Sequence, residues 1–174
     1  MKWFFLDAET DGLYGPFLSA AALVTDDTGR EIEHLYASRP VREEDIASEW
    51  VRKNVLPHLR NAEAVAVSEN ELLETVWSFW MKHRDGAYCV ADVGFPVEAR
   101  LFSECVRHDP AGREFLAPFP LLDLGTLLVS RGIFWDAQRQ ELSGLALAPH
   151  DPLNDVRLAA ACWFRYRGNA RRNE

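Results

Sequence analysis

Residues 2–13 read KWFFLDAETDGL, and the order of residue types in this stretch governs how the rest of the chain is read. Four large apolar residues, Trp3 to Leu6, run directly into Asp7. This is the pattern of a strand buried on both faces whose last residue, Asp7, emerges at the edge of a sheet. On an extended chain residues i and i+2 face the same way, so Asp7 and Glu9 project from one side of the strand end into one small volume. Two like charges held that close repel. A divalent cation between them removes the repulsion, and hard oxygen ligands of this kind suit Mg²⁺ or Mn²⁺. The bland reading of DxE is a tripeptide on a solvated loop; the apolar run before it argues for the strand end.

Further along, Phe17 to Thr25 is a second apolar run, closed by the turn signal Asp26-Asp27-Thr28-Gly29 and followed by the alternating stretch Glu31 to Tyr36. This predicts a hairpin, and hence three consecutive strands, the first two joined through Asp11-Gly12. From Glu43 the period becomes helical: Trp50, Val51, Val55, Leu56 and Leu59, then Leu72, Leu73, Val76, Trp77 and Trp80. Ser68 and Glu71 have capping-box spacing for the second helix. Ala87 to Asp92 is a short strand ending in an acid. A helix opening near Pro96 carries Leu101, Phe102, Cys105 and Val106 inward. Phe119 to Leu122 reads as a further strand, and Asp123 as the cap of a short helix that stops at Gly132. Asp151 and Pro152 open the last helix, whose inward stripe is Ala159, Cys162 and Trp163 and which ends near Tyr166. Strands first, then helices alternating with strands, predict one α/β domain over residues 1–168 with a mixed sheet and helices on both faces. Residues 169–174 read as a frayed tail.

Length, charge and composition narrow the function classes. A chain of 174 residues supports one core rather than two. No apolar run approaches the roughly 20 residues needed to cross a bilayer, and Asp7 and Glu9 come too early for a signal peptide. A cytoplasmic protein with no membrane partner is expected. Cys89, Cys105 and Cys162 form no CxxC pair and read as reduced core thiols. A net charge of -8 argues against broad adhesion to a phosphate backbone, so any nucleic-acid contact is local. Arg165, Arg167, Arg171 and Arg172 read as a solvated helix end, with a basic edge for substrate or partner as the alternative. The only lysines are Lys2, Lys53 and Lys82, none placed to serve a haloacid-dehalogenase-like phosphatase, and no GxxxxGK[ST] phosphate loop is present.

Two further constellations carry chemistry. His150 lies in the loop before the last helix and Asp155 in its first turns, so the two side chains can converge. A loop imidazole is a natural general base, and an acid near a helix N-terminus is favoured by the helix dipole. In YCVADVGFPVEARLF, residues 88–102, Asp92 ends a strand and Glu98 begins a helix, and either can point at the same sheet edge. His34, His58, His83 and His108 read as surface or structural histidines.

Taken together and in order, these motifs resemble the DEDDh branch of the 3'-to-5' exonucleases (ribonuclease T-, oligoribonuclease- and proofreading-exonuclease-like), which have a ribonuclease H-like fold. FFLDAETDGL is similar to the first family motif and HDPLNDVRLAA to the third. The resemblance implies a ribonuclease H-like five-stranded mixed sheet, two Mg²⁺ or Mn²⁺ ions held by Asp7, Glu9 and Asp155, and His150 as general base. It implies release of nucleoside monophosphates from the 3' end of single-stranded RNA or DNA, and carries an expectation of homodimers. It also implies that backbone groups from Thr10 to Leu13 grip the terminal nucleotide, with Leu13 and Tyr14 against its base. The middle motif departs from the pattern: its spacing suits Glu98, its usual residue type suits Asp92, and both are retained. The competing reading is a protein that keeps the fold as a nucleic-acid-binding or assembly module and has lost turnover.

Overall fold

The computed structural model describes residues 1–59 and 65–168; the tail expected over 169–174, with Arg171 and Arg172, lies outside the described residues. Five strands form one sheet in the order β3-β2-β1-β4-β5. They are β1 (Lys2–Thr10), β2 (Phe17–Asp26), β3 (Glu31–Ser38), β4 (Ala87–Ala91) and β5 (Leu121–Asp123). The first three are antiparallel, while β4 and β5 run parallel to β1, so the sheet is mixed, as predicted.

The helices are α1 (Glu49–Asn54), α2 (Glu69–His83), α3 (Ala99–His108), α4 (Pro110–Arg113), α5 (Leu124–Ser130), α6 (Arg139–Ser143) and α7 (Pro152–Tyr166). The period-2 rule sorts the two faces of the sheet. Phe4, Leu6 and Ala8 join Leu72, Val76, Trp80, Leu101 and Cys105 in one core cluster. Trp3 and Phe5 join Leu124, Leu128, Leu153, Val156, Ala159 and Trp163 in another. Helices α2 and α3 therefore cover one face, α5 and α7 the other. A smaller cluster packs Val51, Val55 and Leu59 against Leu18 and Val41. All three cysteines are buried and free. Among the described residues no helix is long and apolar enough to cross a membrane.

Local departures from expectation have identifiable causes. Strand β1 does not stop at Asp7. Its pairing with β4 ends at Leu6 opposite Ala91, but β2 continues to pair with it as far as Thr10. Strand β5 begins at Leu121, two residues later than read, because Pro120 has no N–H to join a ladder and Phe119 is fully exposed. Helical backbone opens at Pro96 as read, after the extended Phe95 (φ -133°, ψ 138°), and passes through a wide first turn into α3 at Ala99. Trp50 does not point inward with Val51 and Val55 but is 57% exposed. Arg165 is exposed at the end of α7, as read, and donates to the Leu142 carbonyl, whereas Arg167 is half-buried, donating to Asp27 and stacking on Trp3 and Phe164. His34, His83 and His108 pair with Glu31, Glu33 and Glu74.

The first turn of α7 sets where one side of the candidate site stands. Asp151 is its N-cap, accepting from the N–H groups of Leu153 and Asn154, and Pro152 occupies a first-turn position where no N–H is needed. Asp151→Ala is expected to lower unfolding stability by about 1 kcal/mol, and Asp151→Asn to recover most of it, as read from urea midpoints.

Candidate active site

Asp7 and Glu9 lie on the α7 face of β1, on the same side as Trp3 and Phe5. Both are partly buried. Beyond Leu6 the β4 side of β1 has no strand partner, and Glu98 occupies that position: it is 7% exposed and takes a hydrogen bond from the Ala8 backbone. On the other side α7 brings in Asp155. Its carboxylate accepts the backbone N–H of His150 at 2.9 Å, which fixes the loop leading into the helix. His150 adopts φ 62°, a left-handed conformation that costs a non-glycine residue roughly 1 kcal/mol. The carboxylate–amide bond is part of what holds it there.

Glu9, His150 and Asp155 each offer one ligand atom, and these atoms all lie within 4.8 Å of one another. Asp7 adjoins this group, its charge felt with those of Asp155, Glu9 and Glu98. Asp7, Glu9 and Asp155, expected as ligands, and His150, expected as base, all share one cleft of about 620 Å³. Three carboxylates and one imidazole, with Glu98 adjoining, suit a divalent cation.

Asp92 also lines this cleft, but it is committed elsewhere. Arg139 donates through Nε to both of its oxygens at 2.8 and 3.0 Å, and its Nη2 stands 2.7 Å from Oδ1 in an ion pair. Thr10 is buried and spends its hydroxyl on the Gly12 carbonyl at 2.6 Å, bracing the turn. Leu13 and Tyr14, at the tip of that turn, are 62% and 70% exposed. The same turn is tied to α1, because Asp11 accepts the N–H groups of Ala47 and Ser48.

Sequence reasoning did not place four further residues at the site. Trp50 sets its ring at 88° to the His150 imidazole with centroids 5.3 Å apart. Phe95 and Trp135 line an apolar slot with Leu13, next to Asp7 and Glu98. Arg139 holds Asp92. A search for aromatics near the motifs would have flagged Phe95; nothing local marks Trp135 or Arg139, which arrive from a loop some 40 residues later in the chain.

Electrostatically the cleft is loaded. Burial raises the Asp7 carboxyl well above its ordinary value, and the charges of Asp155, Glu9, Glu98 and Asp92 add to this. Burial, with Asp155 and Glu98, pushes Glu9 up to about 8. Burial pushes Glu98 to about 8 against the backbone hydrogen bonds it receives, and Asp155 to about 7 against the His150 N–H. At Asp92 burial outweighs Arg139, and the shift is still upward. His150 moves the other way, lowered by burial and then by the nearby His58.

No protein-family model and no curated protein matches this sequence. Solved structures do match in fold. One is the zinc-bound form of an E. coli ExoI–ssDNA complex, with TM-score 0.65 and 14% identity, covering 92% of this chain and 39% of that one. Another is an Exonuclease I from the moderately thermophilic Methylocaldum szegediense, with TM-score 0.61 and 15% identity, covering 95% and 41% respectively. The fold is ribonuclease H-like, and the chain spans only about two fifths of the length of these neighbours.

The raised carboxyls set the sign of a pH dependence. Between about pH 4.5 and 8 the unfolded chain has released protons that the metal-free folded chain retains, so stability is greatest at the acid end and declines as pH rises through 7 to 8. In EDTA the urea midpoint is expected to fall between pH 6 and pH 8.5, by on the order of a few kcal/mol in unfolding free energy. Glu9→Gln should flatten the decline and Mn²⁺ should reverse it; a flat profile in the wild type would mean that the acids do not share one volume.

Proposed function

We propose that this chain is a metal-dependent 3'-to-5' exonuclease of the DEDDh type, hydrolysing phosphodiester bonds at the 3' end of single-stranded RNA or DNA to release nucleoside monophosphates. The observation that carries the reading is the convergence of Asp7, Glu9, Glu98 and Asp155 beside His150 at one rim of the sheet, although the sequence spreads them across most of the chain. The fold shared with two exonuclease I structures, one of them an ssDNA complex, supports it.

Of the two candidates for the middle motif, we assign Glu98 as the fourth acid. It is buried against the Ala8 backbone and its charge reaches Asp7 and Glu9, whereas Asp92, although its charge also reaches Asp7 and Asp155, has both oxygens engaged by the Arg139 guanidinium. Asp7, Glu9, Glu98 and Asp155 would hold two Mg²⁺ or Mn²⁺ ions, which supply positive charge to the scissile phosphate when bound. His150, its pKa lowered, is neutral near pH 7 and takes the proton from the attacking water. Leu13 and Tyr14, projecting from the braced β1–β2 turn, wedge against the terminal base, while the backbone around Thr10 positions its sugar. An apolar wedge is tolerant of base identity, and the reading takes single-stranded RNA or DNA as substrate, with the chain acting in the cytoplasm.

The test is a set of 5'-labelled RNA and DNA oligomers incubated with Mg²⁺ or Mn²⁺. Ladders shortening from the 3' end are expected, and cuts within the strand would count against the assignment. Asp7→Ala and Glu98→Gln should each lower turnover by at least about 1000-fold, equivalent to about 4 kcal/mol in the barrier, and Asp92→Asn by far less. His150→Ala should cost about 10² to 10⁴ in kcat. Binding without cleavage in every condition would favour the module that has lost turnover.

A further inference from the structure

Arg139 lines the acidic cleft, yet its Nε, Nη1 and Nη2 groups are all engaged within the chain. Besides gripping Asp92, the guanidinium donates through Nη1 to the Ala137 carbonyl and through Nη2 to the Trp135 carbonyl at 2.7 Å. It thereby joins three pieces of chain: the residue after β4, the loop from Trp135 to Ala137, and the start of α6. The Asp92 carbonyl in turn accepts the Gly125 N–H at 3.0 Å, and Trp135 Cβ lies 3.7 Å from where a Gly125 Cβ would stand. The loop backbone is thus seated on α5.

The ring of Trp135 is less enclosed. It lines the slot of about 400 Å³ that contains Leu13, Phe95, Asp7 and Glu98. It also lines a second apolar hollow, of about 310 Å³, with Val93, Thr126 and Val129. The ring borders two hollows, is 46% exposed and meets one neighbouring ring, that of the exposed Phe134, at 5.7 Å and 51°, so packing on its faces holds it only in part. Its place is set by its backbone, and the backbone is held by Arg139. The slot walls, Leu13, Phe95 and Trp135, are apolar or aromatic and offer little to read a base edge. What fits between such walls beside an acid pair is a flat, unpaired nucleobase.

We propose that Trp135 is a stacking residue for the 3'-terminal base, and that the Asp92–Arg139 pair is a positioning clamp that keeps it facing the acids. The proposal rests on the nuclease reading for its substrate but makes a separate claim about grip. Trp135→Leu should raise KM for oligothymidylate about tenfold, within the range for one stacked base, with a smaller effect on kcat, and Trp135→Phe should recover most of the loss. Arg139→Gln should raise KM similarly, and adding it to Trp135→Leu should raise KM no further, because the clamp acts through the ring. In EDTA, where turnover is blocked, oligothymidylate should quench tryptophan fluorescence in the wild type and much less in Trp135→Phe, and a blunt duplex should not quench it. Unchanged KM and quenching on loss of Trp135 would overturn the slot. A double variant more than about threefold worse than Trp135→Leu alone would overturn the clamp. If Arg139→Gln fails to fold, the two Trp135 variants still decide the slot. If the wild type hydrolyses nothing, the nuclease reading fails, and the quenching decides the slot on its own.

Discussion

Beyond Leu6 the central strand keeps its antiparallel neighbour and loses its parallel one, and the half-open edge this leaves is the constraint on which the site depends. Backbone groups there are free to hold side chains, and Glu98 enters against Ala8. The period of the strand then aims Asp7 and Glu9 at α7, whose first turns deliver Asp155. Four carboxyls in a partly dry volume cannot all ionise cheaply, and their raised pKa values express that cost. The arrangement is stable with protons or with cations between the acids, and the proposed function takes a divalent ion as the occupant.

Around this acidic centre the rim is mostly apolar. Leu13, Tyr14, Trp50, Phe95 and Trp135 are all substantially exposed, in a chain whose net charge is -8. A nucleic acid approaching such a molecule gains little from long-range attraction. On the proposed reading, contact energy at the rim comes from stacking and from cations held in the centre. This favours strands with unpaired, accessible bases over duplexes, whose base faces are already covered. The supports beneath the rim are polar and local: Asp11 ties the β1–β2 turn to α1, and Arg139 ties the Trp135 loop to the end of β4.

Much of the fold is legible in the chain because its signals are short-range. The apolar run before Asp7, the Asp26–Gly29 turn, the Ser68 cap and the Asp151–Pro152 helix start each act through near neighbours. Boundaries that shift trace to effects a one-dimensional pattern does not carry. Strand β1 runs on to Thr10 because one partner outlasts the other. Trp50 has the spacing of a helix stripe, yet α1 ends after six residues and leaves its ring outside the core. The choice between Asp92 and Glu98 cannot be made from spacing, since both come soon after β4. It turns on a partner, Arg139, that lies 47 residues from Asp92 in sequence.

The elements, the α/β class and three of the clustered acids, Asp7, Glu9 and Asp155, can therefore be read from the order of residues alone, since apolar periodicity, caps and motif order are properties of near neighbours. Only the tertiary structure shows that Arg139 engages Asp92 while Glu98 sits against Ala8, that Trp135 and Leu13 border one slot, and that the carboxyls perturb one another. Those are matters of burial and of distances between groups far apart in the chain, and they exist only once the sheet and the helices on its two faces have closed around the half-open edge of β1.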